Sequence, residues 1–83
     1  MQIKEEKDME KERFRVNCFK SFDRILVSID GVWYCDIFSH IGNGVVCCVG
    51  GRGYGKAIPY NEETKKITGT SSECPEYYRW WEE

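Results

Sequence analysis

Phe22-Asp23-Arg24-Ile25-Leu26-Val27-Ser28-Ile29-Asp30-Gly31-Val32-Trp33-Tyr34-Cys35-Asp36-Ile37-Phe38 reads as two β-rich runs about a single Asp30-Gly31 pair. Asp-Gly between β-branched and aromatic residues is a strong hairpin signal, because a type I′ turn needs positive φ at both central positions. With Asp30 and Gly31 at the turn, Ile29 opposes Val32, Val27 opposes Tyr34 and Ile25 opposes Asp36. On the other face Ser28 opposes Trp33, Leu26 opposes Cys35 and Arg24 opposes Ile37. Both faces carry large apolar groups, whereas a hairpin on an open sheet usually keeps one polar side. The expectation is a hairpin inside a small curled sheet, or one that lends a face to a partner.

Working outward, residues 1–13 read as a charged arm, every residue from Lys4 to Arg13 being charged except Met9. Ile3 and Met9 make no apolar stripe, so the arm reads as a solvated tail or an interaction segment. Residues 14–83 then form a single small β domain. Phe14, Val16 and Cys18 alternate with polar residues and predict an edge strand. Ser39-His40-Ile41-Gly42-Asn43-Gly44 reads as a turn cluster. Val45-Val46-Cys47-Cys48-Val49 predicts a strand buried on both faces. Lys56-Ala57-Ile58-Pro59-Tyr60 predicts another strand, at an edge or ending there because proline cannot donate to a ladder. Asn61-Glu62-Glu63-Thr64 is turn-like, and Lys65-Lys66-Ile67-Thr68 predicts a short strand. Pro75 suits the start of a short C-terminal helix that sets Tyr77 and Trp81 at i,i+4.

The chain has 83 residues, which bounds it to one domain. So small a domain covers its apolar surface poorly, which points to a homo-oligomer. A formal charge of −2 gives no global attraction for nucleic acid or an anionic membrane. No apolar run reaches about 18 residues, and the N-terminus has no signal-peptide core, so the expected location is cytoplasmic, with no membrane partner. The five cysteines, Cys18, Cys35, Cys47, Cys48 and Cys74, form no C-x-x-C pair, and His40 is the single histidine. No metal and no cofactor are expected, and the cysteines read as small hydrophobes in a reducing compartment.

Phe22-Asp23-Arg24-Ile25-Leu26-Val27, Trp33-Tyr34-Cys35-Asp36-Ile37-Phe38-Ser39-His40, Val49-Gly50-Gly51, Ile58-Pro59-Tyr60-Asn61-Glu62-Glu63-Thr64, Gly69-Thr70 and Pro75-Glu76-Tyr77-Tyr78 together resemble a family of small proteins of gut-bacterial mobile elements and their phages. The resemblance spans about residues 14–81. It implies a phage-linked setting in a bacterial host and supplies no catalytic residues. The Arg24–Ile37 hairpin is also similar in pattern to SH3-like and Tudor-like barrels, a likeness of fold alone.

Gly50-Gly51-Arg52-Gly53-Tyr54-Gly55-Lys56-Ala57 has the G-x-x-x-x-G-K spacing of a phosphate loop after an apolar strand. Ala57 replaces the Ser or Thr that would hold magnesium, and Pro59 forbids the helix that should follow, so nucleotide hydrolysis is not expected. The loop's four glycines, Gly51 and Gly53 among them, still let successive backbone N–H groups turn toward an anion. Arg52 and Lys56 add charge, and Tyr54 is placed to stack on a base. Trp33 and Tyr60 extend this aromatic set; its alternative role is packing and a dimer contact. His40 has no acid–base partner in the pattern, and Cys47 and Cys48 lie in an apolar run that lowers thiol reactivity.

The resulting expectation is a mainly β, non-enzymatic fold. It is a small antiparallel sheet or SH3-like barrel of four to five strands, with a short C-terminal helix and a charged N-terminal arm. The leading function is a phage-linked counter-defence protein that sequesters a small phosphorylated nucleotide signal. Its expected ligand-binding residues are Arg52, Lys56, Tyr54, Gly51, Gly53, Trp33 and Tyr60. The alternative is a protein-binding inhibitor or adaptor that meets a host protein through the hairpin face and the aromatic C-terminus.

Overall fold

The computed structural model describes residues 14–82. The expected charged arm therefore lies outside the described residues. The architecture is mainly β: β1 (Arg24–Ile29), β2 (Val32–Gly42), β3 (Val45–Cys48), β4 (Gly53–Tyr54) and β5 (Ala57–Pro59). They form one antiparallel sheet in the order β4-β3-β2-β1-β5, which is open rather than closed into a barrel.

Asp30 and Gly31 have φ of 53° and 84°, the left-handed pair of a type I′ turn. The β1–β2 ladder runs Arg24↔Ile37, Ile25↔Asp36, Leu26↔Cys35, Val27↔Tyr34, Ser28↔Trp33 and Ile29↔Val32, as the turn chemistry requires. Asn43 and Gly44 repeat the same device at φ of 52° and 77°. The predicted turn cluster is thereby corrected: Ser39 to Gly42 continue β2, and the turn is Asn43-Gly44 alone. A register shift between Phe38 and His40 bends β2 where it leaves β1 and takes up β3.

Both faces of β1 are covered. Ile25 and Val27 join Phe38, Val46, Cys48 and Ala57 on one side, with Val16, Phe19, Tyr54 and Trp80 packed against them. Leu26 joins Trp33, Ile58 and Cys74 on the other, with Tyr60, Ile67, Tyr78 and Trp81. β5 supplies Ala57 to the first cluster and Ile58 to the second, pairing with β1 at the sheet edge. Pro59 ends that edge strand, where its missing donor costs no ladder bond.

Four further expectations are corrected. Val16–Cys18 is a 3₁₀ turn rather than an edge strand. Its apolar contacts come from Val16 and Phe19, three apart, and Phe19 packs on Phe38 at 5.1 Å. β3 alternates instead of burying both faces: Val46 and Cys48 are buried, Val45 and Cys47 half-buried. Thr64–Ile67 is a 3₁₀ turn in place of the predicted strand. Asn61 Oδ1 accepts the amides of Glu63 and Thr64, which diverts this backbone from any ladder. The C-terminal helix is two 3₁₀ turns, Glu76–Tyr78 and Trp80–Glu82, broken at Arg79 with φ −85° and ψ 66°.

The cysteines are free thiols. Cys48 and Cys74 are buried, but Cys18 and Cys35 are exposed and Cys47 is half-buried, so only two behave as core hydrophobes. No helix among the described residues is long and apolar enough to cross a membrane.

Candidate functional site

The C-terminal aromatics fold back over the β1–β5 end of the sheet. Trp80 Nε1 donates to the Ala57 carbonyl at 2.7 Å, and Trp33 Nε1 donates to the Ser72 carbonyl at 2.9 Å. Gly69 and Thr70 bond the outer edge of β2 at Trp33, which carries residues 71–74 past the hairpin turn. Together these contacts leave a cleft of about 160 Å³. Trp81 and the buried Trp33 line it in contact with each other, ring centroids 6.2 Å apart and planes at 41°. Ser28, Ser71 and Ser72 line it alongside Lys56, Arg79, Glu73 and Glu82.

The charges are unequally engaged. Arg79 Nη2 lies 2.6 Å from Glu73 Oε1, and its Nη1 lies 3.7 Å from Glu82 Oε2. Its Nε and Nη2 also reach the Cys74 carbonyl at 3.4 and 3.3 Å. The Lys56 ammonium instead stands over the Trp81 ring, 5.6 Å from its centroid, in a cation–π contact. Burial pushes up the Cys74 thiol beside it, which keeps that sulfur protonated and unreactive near neutrality.

Trp33 and Lys56, both expected from the sequence, are thus brought to one cleft. Gly51, Arg52, Gly53 and Tyr54 lie apart from its lining, on the β3–β4 hairpin. Gly51 occupies φ +96°, and its amide donates to the Cys48 carbonyl at 2.9 Å. The exposed Arg52 accepts the Cys48 amide on its own carbonyl. Gly53 pairs with Cys47, and a side chain there would meet Val45 Cγ2 at 3.1 Å. Tyr54 packs against the first cluster and its hydroxyl donates to Asp36 Oδ2 at 3.1 Å. Tyr60 packs in the second cluster, with the Arg24 guanidinium 5.5 Å from its ring centroid.

Sequence reasoning missed Ser28, Ser71, Ser72, Glu73, Arg79, Trp81 and Glu82 as a group. The Ser28–Trp33 cross-strand pair was legible, but nothing local ties it to residues 71–82. Among the described residues no three His, Cys, Asp or Glu side chains converge as a metal site.

Two apolar side chains outside the cleft lining are exposed. Phe22 is 76% exposed and Val49 52% exposed. Their amides bond the carbonyls of the adjacent β2 residues Phe38 and Ile37, at 2.7 and 3.0 Å. Phe22 is held at φ 75°, a conformation that bulky residues rarely adopt.

Comparison with family models, curated proteins and solved structures finds no match.

Proposed function

We propose that the protein is a non-catalytic binding module that sequesters a small phosphorylated nucleotide, acting as a homo-oligomer in a phage-linked counter-defence role. The observation that carries this reading is the Lys56 ammonium over Trp81 at a cleft also lined by Trp33. An aromatic wall beside a cation suits a ring joined to an anion. Of the seven residues expected from the sequence, Lys56 and Trp33 are the pair that such a cleft employs. Arg52 on its separate hairpin becomes secondary.

Isothermal titration with cyclic di- and trinucleotides and cyclic ADP-ribose isomers tests it. Binding should weaken in Lys56→Ala by about 1.5–3 kcal/mol, the worth of a hydrogen bond to a charged group. No heat with any of these ligands would sink the sequestration reading.

The adaptor reading keeps one specific support, the exposed Phe22 held at positive φ. It would dock a host protein there rather than through Trp80 and Trp81, which are folded into the domain. Affinity capture on Phe22→Ser compared with wild type distinguishes it: loss of a bound host protein favours the adaptor.

A further inference from the structure

We propose that the cleft is a one-nucleotide subsite, with the base stacked on Trp81 and the phosphate held by Lys56 and the serine hydroxyls. This rests on the nucleotide-binding reading above and says which part of a nucleotide each residue takes.

Size comes first. The cleft of about 160 Å³ is close to the ~150 Å³ cavity that holds one benzene ring. It is partly open and has room for one ring system. A cyclic oligonucleotide would therefore be shared between chains, one base to each.

Charge sets the orientation. Arg79 is engaged by Glu73, Glu82 and the Cys74 carbonyl. Lys56 makes no ion pair among the described residues, and its ammonium rests on the Trp81 face. An exposed cation–π contact is weak. A planar base that stacks on Trp81 replaces the ammonium there and frees it for the phosphate. Ser28, Ser71 and Ser72 line the cleft, and their Oγ atoms take part in no hydrogen bond among the described residues. They are donors for phosphate oxygens. Glu73 and Glu82 in the same lining oppose additional negative charge, so the cleft favours a monophosphate over a triphosphate. Their carboxylates also accept from base amino groups or ribose hydroxyls.

Titrating the ¹⁵N-labelled full chain with adenosine, guanosine, cytidine and uridine monophosphates, with the free nucleosides and with ATP tests the assignment. The expected result is a shift of the Gly31, Ser71 and Ser72 amides and the Trp33 indole N–H with at least one monophosphate. The matching nucleoside should bind at least ten-fold more weakly, and ATP no more tightly. Lys56→Gln should bring the monophosphate to the affinity of its nucleoside while the apo spectrum stays folded. Shifts at Gly51 and Gly53 with the cleft resonances unmoved would overturn the subsite and leave nucleotide binding standing. Unchanged monophosphate affinity in Lys56→Gln, or tighter ATP binding, would overturn the charge assignment. No shift with any of these probes, or with the cyclic nucleotides, at millimolar concentration would overturn both readings.

Discussion

Replacing Phe22 by glycine should yield a more stable protein than replacing it by alanine. Phe22 closes the turn Lys20-Ser21-Phe22-Asp23, in which the Asp23 amide donates to the Lys20 carbonyl at 2.9 Å. Its φ of 75° falls where a type II turn calls for glycine. Both substitutions remove the same ring. With 76% of the residue exposed, about a quarter of a phenylalanine's burial is lost, roughly 0.5 kcal/mol. Alanine retains the Cβ and hence the left-handed penalty of about 1–2 kcal/mol. Glycine escapes it but gives up about 0.5–1 kcal/mol of additional backbone entropy. The difference leaves glycine ahead of alanine by about 0.5–1 kcal/mol, or roughly 2–8 °C in a domain of this size. Glycine should therefore melt at or slightly above wild type, and alanine a few degrees below. Thermal unfolding followed by far-UV circular dichroism measures this directly. An alanine variant as stable as the glycine variant would refute the claim that the backbone, rather than the ring, sets stability at this position.

At the hairpin turn, Gly31→Val should destabilise by about 1–3 kcal/mol in a denaturant titration, since a β-branched residue is strained at positive φ. A Cβ at Gly31 meets nothing within 4 Å, so the loss would be conformational rather than steric. Thr64 is 1% exposed; its hydroxyl donates to the Pro59 carbonyl at 2.6 Å and accepts the Asn61 amide at 2.9 Å. Thr64→Val should therefore cost about 1–3 kcal/mol through unpaired buried groups, and an unchanged unfolding midpoint would contradict that bonding. Burial and then Asp36 push the Cys48 thiol from about 9 up to about 12, and the hydrogen bond to Glu63 followed by burial pushes Tyr77 from about 10 up to about 12. In each case the native state keeps a proton that the unfolded chain releases. Stability should thus hold below pH 9 and fall as pH rises toward 12, with Tyr77→Phe flattening the portion above 10 and Cys48→Ala the onset; a flat profile would count against both. Multi-angle light scattering at tens of micromolar should show an oligomer, and a strict monomer would weaken the shared-ligand scheme.

The β1–β2 ladder was legible from sequence because its determinants are local. Asp30-Gly31 sets a turn that few residue pairs accept, and the two-residue period of a strand carries the register from Ile29↔Val32 to Arg24↔Ile37. Pro59 at the edge strand and apolar residues on both faces of β1 were readable for the same reason. Asn43-Gly44 carried an equal signal, masked by the glycine and polar residues around it. Tertiary structure decided the rest. Phe14, Val16 and Cys18 fit a two-residue alternation, whereas Val16 and Phe19 fit a three-residue step; packing of Phe19 on Phe38 and of Phe14 on Tyr78 accompanies the 3₁₀ path. The glycine run reads as a phosphate loop until Tyr54 is tied to Asp36 and Lys56 is carried round to Trp81. Ser28, Lys56, Ser72 and Trp81 come from four separate stretches of chain. They meet because Trp33 and Trp80 anchor the C-terminal segment through bonds to the Ser72 and Ala57 carbonyls. Turn chemistry acts over a few residues, whereas a cleft arises from contacts between segments dozens of residues apart, which no local pattern records.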